Sequence, residues 1–347
     1  MPPLPIDQLL SQAVQGEATF SPPPRFAAAS FGSYRPANES QERAAARVAE
    51  FVTAAAAPAR RGWWPFRRTE PGSGLYLDGG YGVGKTHLLA AAYHAAGDVK
   101  RVYLTFQELV HLIGARGAQE AAAHFEGVRL VCLDEFELDD PGNTLIVKRF
   151  LEGLFEAGGS LVTTSNTPPE AQGKGRFNAA DFQREIQGIA QRFEVVPIDG
   201  PDFRKRERRP ELHGEAEYTV LLPTLPAPAF AGTLDELLAV LREVHPIRFR
   251  EIAKGAGGIA ISGLETIASQ NDALRFVHLI DQLYDQQVKL LATGGTPLSG
   301  LFDPSYRNGA YMKKHERCLS RVGELLDETR QLAGDGSHGD RPLVAGD

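Results

Sequence analysis

The chain has 347 residues, 42% of them hydrophobic and 23% charged, with a formal net charge of −7. That length allows a sizeable core and two domains, and the composition is ordinary for a soluble globular protein. The acidic balance argues against a chain that lives on nucleic acid, although a local basic patch could still bind it. Cys132 and Cys318 make no disulfide framework and fit a reducing compartment. No apolar run is long enough to span a bilayer. Met1-Pro2-Pro3-Leu4-Pro5 lacks a basic region followed by an apolar one. No signal peptide is therefore expected, and the cytoplasm is the expected compartment.

Residues 1–25 are Pro-rich and weakly periodic, and are expected to be a flexible arm. Ser40-Gln41-Glu42 then opens an Ala-rich helix running to Ala57. Between Pro58 and Pro71 an irregular excursion carries Arg60, Arg61, Trp63, Trp64, Arg67 and Arg68. Trp63 and Trp64 leave peripheral membrane association open beside local packing. Leu75-Tyr76-Leu77 reads as a short strand, and His87 to Tyr93 as a helix after it.

Between that strand and helix stands Gly79-Gly80-Tyr81-Gly82-Val83-Gly84-Lys85-Thr86, with His87 following. Gly, four residues, then Gly-Lys-Thr is the phosphate-binding P-loop pattern, and strand–loop–helix is the context it demands. Glycines let backbone N–H groups turn inward around phosphate oxygens, and the helix N-terminus faces the anion. Lys85 is expected on the β- and γ-phosphates, and Thr86 on Mg²⁺. ATP and Mg²⁺ are the implied ligands.

Further strands are read at Val102–Leu104, Leu130–Leu133, Leu161–Thr164 and Glu194–Ile198. Separated by helices, they predict a parallel sheet covered on both faces. Asn143 to Ala157 reads as a helix with Asn143 as N-cap and Leu145, Ile146, Phe150, Leu154 and Phe155 as its apolar face. Asp134-Glu135 ends one strand. Asp134 is expected to hold Mg²⁺, mostly through waters, and Glu135 to polarise the attacking water. Asn166, after Ser165, ends the next strand and is a candidate to orient that water or touch the γ-phosphate. Cys132 is read as inert packing in a buried strand.

After residue 200 the texture changes. Arg204 to Arg209 is a basic run that reads as a solvated connector and could also touch nucleic acid or lipid, Thr233–Val244 and Asp272–Ala292 read as helices, and Tyr311–Ala333 as a last long helix. In the second helix Val277, Ile280, Tyr284, Val288 and Leu291 share one face. Residues 334–347 are Gly- and Asp-rich and expected to be disordered. The histidines show no metal-ligand spacing.

The order P-loop, Asp134-Glu135, Ser165-Asn166 resembles an AAA+ ATPase. More narrowly, Leu133-Asp134-Glu135-Phe136-Glu137-Leu138-Asp139-Asp140 and Leu161 to Pro169 resemble the ZapE cell-division ATPase family. Phe31 to Pro36 with Ser40-Gln41, Arg275-Phe276, Leu279 to Asp285, Val288 to Leu290, Glu316-Arg317 and Ser320-Arg321 match further family segments. The resemblance spans about residues 26–330. It implies a P-loop AAA+ α/β core with a parallel sheet over residues 26–200, and a connector and mostly helical C-terminal lid over residues 201–333. It further implies ATP hydrolysis directed at a protein partner, FtsZ at the division site, and a homo-oligomer whose sites are completed by an arginine.

The family commonly carries Arg-Phe-Leu-Pro after the Ser-Asn strand. Here Asp181-Phe182-Gln183-Arg184-Glu185-Ile186 stands instead. Arg176, Arg184 and Arg192 are all candidate fingers, Arg184 the first choice. Arg275, before an amphipathic helix, is the candidate that senses the γ-phosphate in cis. The competing reading is a nucleic-acid-directed ATPase of the DnaC or DnaA kind, where Gly84 to Leu89 is a common P-loop variant. The C-terminal third shows no clear helix-turn-helix module, and stable nucleic-acid binding is not expected. A scaffold without activity is disfavoured because Lys85, Thr86, Asp134 and Glu135 are all present.

Overall fold

The computed structural model describes residues 2–12, 20–57, 72–138, 141–172, 187–201, 211–308 and 311–335. Trp63, Trp64, Arg176, Arg184 and the Arg204–Arg209 run lie outside them, as do residues 336–347 of the expected tail. The chain divides into two compact units. One comprises Thr19–Pro22 and Phe26–Arg204; the other comprises Met1–Ala18, Pro23–Arg25 and Lys205–Asp347.

The first unit is built on strands β2 (Gly74–Gly79), β3 (Arg101–Thr105), β4 (Leu130–Asp134), β5 (Ser160–Ser165) and β6 (Phe193–Ile198). All pair parallel, in the order β3-β4-β5-β2-β6. Helices α1 (Glu39–Ala56), α2 (Lys85–Ala95), α3 (Phe106–His124) and α4 (Pro141–Glu156) accompany it. β2, β4 and β5 are buried on both faces because helices cover both, while the edge strand β6 leaves Glu194, Val195 and Pro197 exposed. Leu75, Leu77, Cys132 and Val162 pack with Val48, Phe51, Leu88 and Leu89 of α1 and α2. The alternate residues Tyr76, Val131, Leu133 and Leu161 pack with Leu109 of α3 and Val147, Leu151 and Phe155 of α4. Strand periodicity of two divides each strand between the two cores.

Two details of α4 differ from expectation. It starts at Pro141, two residues before Asn143, and proline suits a first helical position. Leu145 is 45% exposed; the buried stripe is Val147, Leu151, Leu154 and Phe155. Apolar residues outnumber the stripe, and only the phase set by the start decides which are covered.

Helices carry most regular residues of the second unit, as expected, but they surround a parallel sheet that was not foreseen. Its strands β1 (Leu4–Pro5), β7 (Ala229–Thr233), β8 (Gly258–Ser262) and β9 (Lys289–Ala292) lie in that order. For residues 2–12 the expectation of a flexible arm is corrected here. Leu4 pairs with Phe230 and Pro5 with Ala231, and Ile6 and Leu9 are buried in the core. The helices are α5 (Glu215–Leu221), α6 (Leu234–Arg242), α7 (Phe249–Lys254), α8 (Gln270–Asp285) and α9 (Met312–Asp335).

The helix expected over Asp272–Ala292 is therefore a helix, a stop and a strand. Gln287 adopts φ 58, the Gln287 N–H donates to Tyr284 O, and the Val288 N–H donates to Leu283 O. That double bond is a Schellman stop. Glycine normally marks it; glutamine hid it, and Val288 and Leu291 belong to the next strand and its approach.

Candidate functional site

The P-loop joins the end of β2 to the start of α2. Gly84 is the N-cap of α2 at φ 91, and no side chain caps it. A Cβ there would also stand 2.6 Å from Tyr34 Cε2. Glycine is thus required both by the left-handed backbone and by space. The first amides of α2 have no intrahelical partners, so the helix presents N–H donors where an anion would sit.

Lys85 is buried, and its ammonium donates to Gly79 O (2.8 Å), Gly80 O (2.5 Å) and Asn166 Oδ1 (2.9 Å). The strand order explains the last contact. β5 lies between β2 and β4, so the residues at its C-terminal end stand between the P-loop and the acidic pair. Thr86 Oγ1 is 3.5 Å from Asp134 Oδ1. Lys85, Thr86, Asp134 and Asn166 are therefore brought together.

Asp134 is held on three sides. Tyr103 donates to its Oδ2 at 3.0 Å, Thr164 Oγ1 donates to Oδ1, and the Glu135 N–H donates to Oδ1 at 3.1 Å. Burial pushes its carboxyl above the ordinary range and the neighbouring Glu135 adds to this, partly offset by the hydrogen bonds from Thr164, Tyr103 and the Glu135 backbone. Glu135 itself is exposed and adopts φ 54. A side-chain-bearing residue in that region costs about 1–3 kcal/mol, and such strain gathers at functional sites.

Among the described residues no group of three or more His, Cys, Asp or Glu could hold a metal ion. Mg²⁺ does not need one: it keeps several waters and takes one or two protein oxygens beside the substrate's phosphates. The Thr86 hydroxyl and the Asp134 carboxylate, hard oxygen donors 3.5 Å apart, fit that demand.

The loop is buttressed by the segment before α1 and by the first turn of α1. Tyr34 OH donates to Val83 O at 3.1 Å, and Gln41 Nε2 to the same carbonyl at 3.3 Å. Ser33 Oγ is 3.1 Å from His87 Nε2, and the Tyr34 and His87 rings lie 5.6 Å apart. Sequence reasoning missed Tyr103, Thr164 and Gln172. Gln172 is buried and ties Tyr76 OH, Phe136 O, Ser165 Oγ and the Leu138 N–H into one network. Tyr103 in the middle of β3 and Thr164 near the end of β5, polar-tipped residues in apolar strands, carried a faint signal. Gln172, in a loop, carried none.

The arginines fare differently. Arg184 lies outside the described residues. Arg192 is exposed just before β6, and its carbonyl accepts from the Gly74 N–H. Arg275 belongs to the second unit, where it donates to Leu241 O (2.6 Å) and Val244 O (2.7 Å) at the end of α6. A cation on helix C-terminal carbonyls has a structural role of its own. Cys132 is fully buried, and burial pushes its thiol well up, so it stays a packing residue.

This P-loop, with an acidic pair two strands away and a polar residue between, defines an ATPase of the AAA+ class. The model of the AFG1-like ATPase family matches residues 10–243 and 229–332, and the chain belongs to that family. It is 25% identical over 310 residues to the cell division protein ZapE of Escherichia coli strain K12, covering 74% of this chain and 79% of that protein. It is 28% identical over 317 residues to the lactation elevated protein 1 homolog B of Danio rerio, covering 75% of this chain and 61% of that one. Among solved structures, the replication initiator DnaA bound to AMPPCP and single-stranded DNA is similar at 12% identity with a TM-score of 0.40, covering 90% of this chain and 93% of that one.

Proposed function

We propose that this ATPase spends ATP on a protein target, an FtsZ polymer in the cytoplasm at the division site. The observation that supports a working site is the Lys85 ammonium held between two P-loop carbonyls and Asn166 beside the Asp134–Thr86 oxygens. Lys85 exchanges those neutral acceptors for the β- and γ-phosphate oxygens, while the α2 N-terminus donates to the same phosphates. Thr86 and Asp134 hold Mg²⁺, which supplies charge neutralisation on the phosphates when bound. Glu135 draws the proton of the attacking water, and Asn166 orients it. Arg184 of a neighbouring copy completes the site.

The likeness to ZapE supports the protein target. The net charge of −7 supports it too, since it gives no general attraction to a polyanion. The test is sedimentation of FtsZ from the same source with wild type and Lys85→Ala, beside a DNA titration at two salt concentrations. An ATP-dependent change in sedimented polymer that Lys85→Ala abolishes is expected. DNA binding should be weak and fall steeply with salt. Tight DNA binding at physiological salt with no effect on polymers would favour the replication-factor reading instead.

A further inference from the structure

Among the described non-glycine residues only Gln287 and Glu135 have positive φ. Gln287 ends a helix. Glu135 stands at a strand end, exposed between the buried Asp134 and Phe136. Something must hold it in a backbone state that it would leave if free.

Beside the Glu135 N–H bond to Asp134 Oδ1, the contacts that do so come from one residue on the neighbouring strand. Thr164 is 2% exposed. Its carbonyl accepts from the Phe136 N–H at 2.8 Å. Its hydroxyl accepts from the Glu135 N–H at 3.1 Å and donates to Asp134 Oδ1. One hydroxyl has a single proton and two acceptor sites, so both bonds form at once. Thr164 thus grips the peptide on each side of Glu135 and the carboxylate before it. The adjacent Thr163 makes a useful contrast: its hydroxyl donates to Leu133 O at 2.8 Å, within the sheet and away from the acidic pair.

We propose that Thr164 is a positioning residue for hydrolysis, fixing the left-handed turn that presents Glu135 and, through the same hydroxyl, the orientation of the Asp134 carboxylate. The proposal rests on the reading of Glu135 as the group that draws the proton from water. It predicts a selective defect. Without the hydroxyl, Glu135 relaxes toward ordinary backbone angles and its carboxylate leaves the line of attack. The phosphate-binding donors, on a different strand and helix, stay in place.

The experiment compares Thr164→Val, Thr164→Ser, Thr163→Val, Glu135→Gln and the double variant Thr164→Val/Glu135→Gln in the full chain. Turnover and affinity for a non-hydrolysable ATP analogue are read for each. Thr164→Val should lower kcat by about tenfold or more and leave analogue affinity within about twofold, a loss felt only in the transition state. Thr164→Ser should restore turnover to within about threefold of wild type, Thr163→Val should stay close to wild type, and the double variant should be slower than Glu135→Gln by much less than the Thr164→Val factor. If the valine variant melts below assay temperature, Thr164→Ala carries the same reading. A slow Glu135→Gln with a normal Thr164→Val overturns the proposal. So does a serine variant as slow as the valine one, or a double variant slower by the full Thr164→Val factor. Wild-type turnover by Glu135→Gln instead removes Glu135 from the mechanism, whatever Thr164 does.

Discussion

At the scale of single residues the site is a set of opposed demands. Lys85 and Asp134 are both buried and both charged in function, and each is tolerated because partners surround it. Lys85→Ala should therefore abolish nucleotide binding, read by fluorescence of a labelled ATP analogue. Glu135→Gln should keep binding and lose turnover by roughly a hundredfold, equivalent to about 3 kcal/mol on the barrier. Gly84→Ala is expected to fail for geometric reasons, since φ 91 and the Tyr34 ring at 2.6 Å both oppose a Cβ. A loss of about 1–3 kcal/mol in a chemical melt of the nucleotide-free protein checks it. The P-loop, Asp134, Glu135 and Asn166 were legible because phosphate chemistry constrains residue type and spacing together. Thr164, Tyr103 and Gln172 were not, because their partners come from strands and loops remote in sequence.

At the scale of elements, the core strands were legible because each is a short apolar run between turns, and a sheet covered on both faces needs nothing else. β9 was lost inside a helical pattern because a non-glycine residue made the stop. β1 was lost because two residues cannot show a period. In the second unit, α8 and α9 are bolted by buried charge. Asp281 takes Arg321 Nη1 and, at 2.6 Å, Arg317 Nη2. Burial alone would raise its carboxyl, but Arg317 and Arg321, helped by His278, hold it below the ordinary value. Folding then releases a proton that the unfolded chain would keep. The stability is fully present above the usual carboxylate value, near pH 4, and is lost as pH falls from there through the depressed value of the folded state. Asp281→Asn should cost about 3–5 kcal/mol by leaving two guanidinium groups in a buried place.

His213 acts earlier on the same descent. Burial, then Arg330, lowers its pKa, and its Nδ1 lies 3.3 Å from the Ala292 N–H on β9. A depressed imidazole stabilises while neutral, so its contribution starts to fall below about pH 6.5. His213→Asn, which keeps an acceptor for Ala292, should flatten the thermal-melt profile between pH 7 and 5.

At the scale of the whole molecule, the family assignment sets the expectation for assembly. On the proposal that Arg184 of another copy completes the site, that arginine is worth on the order of 10³ or more in rate. Specific activity should rise with protein concentration, and Arg184→Ala should bind ATP yet hydrolyse it poorly. A dilute, demonstrably monomeric sample that turns over as fast as a concentrated one would rule out the shared site.

The strand β1 has one further consequence, for biogenesis. Leu4 and Pro5 emerge from the ribosome before the nucleotide-binding unit, but their partners Phe230 and Ala231 come only after that unit has been made. The later unit cannot close its sheet, nor bury Ile6 and Leu9, until β7 and the elements after it have been made. Closing so long a loop is entropically unfavourable and slow. Synthesis therefore imposes an order, with the ATP-binding fold free to form while the N-terminal strand waits. A chain lacking residues 1–12 should retain nucleotide binding while its second unit melts early or is trimmed by protease, whereas a ribosome-stalled chain ending near residue 204 should already bind ATP.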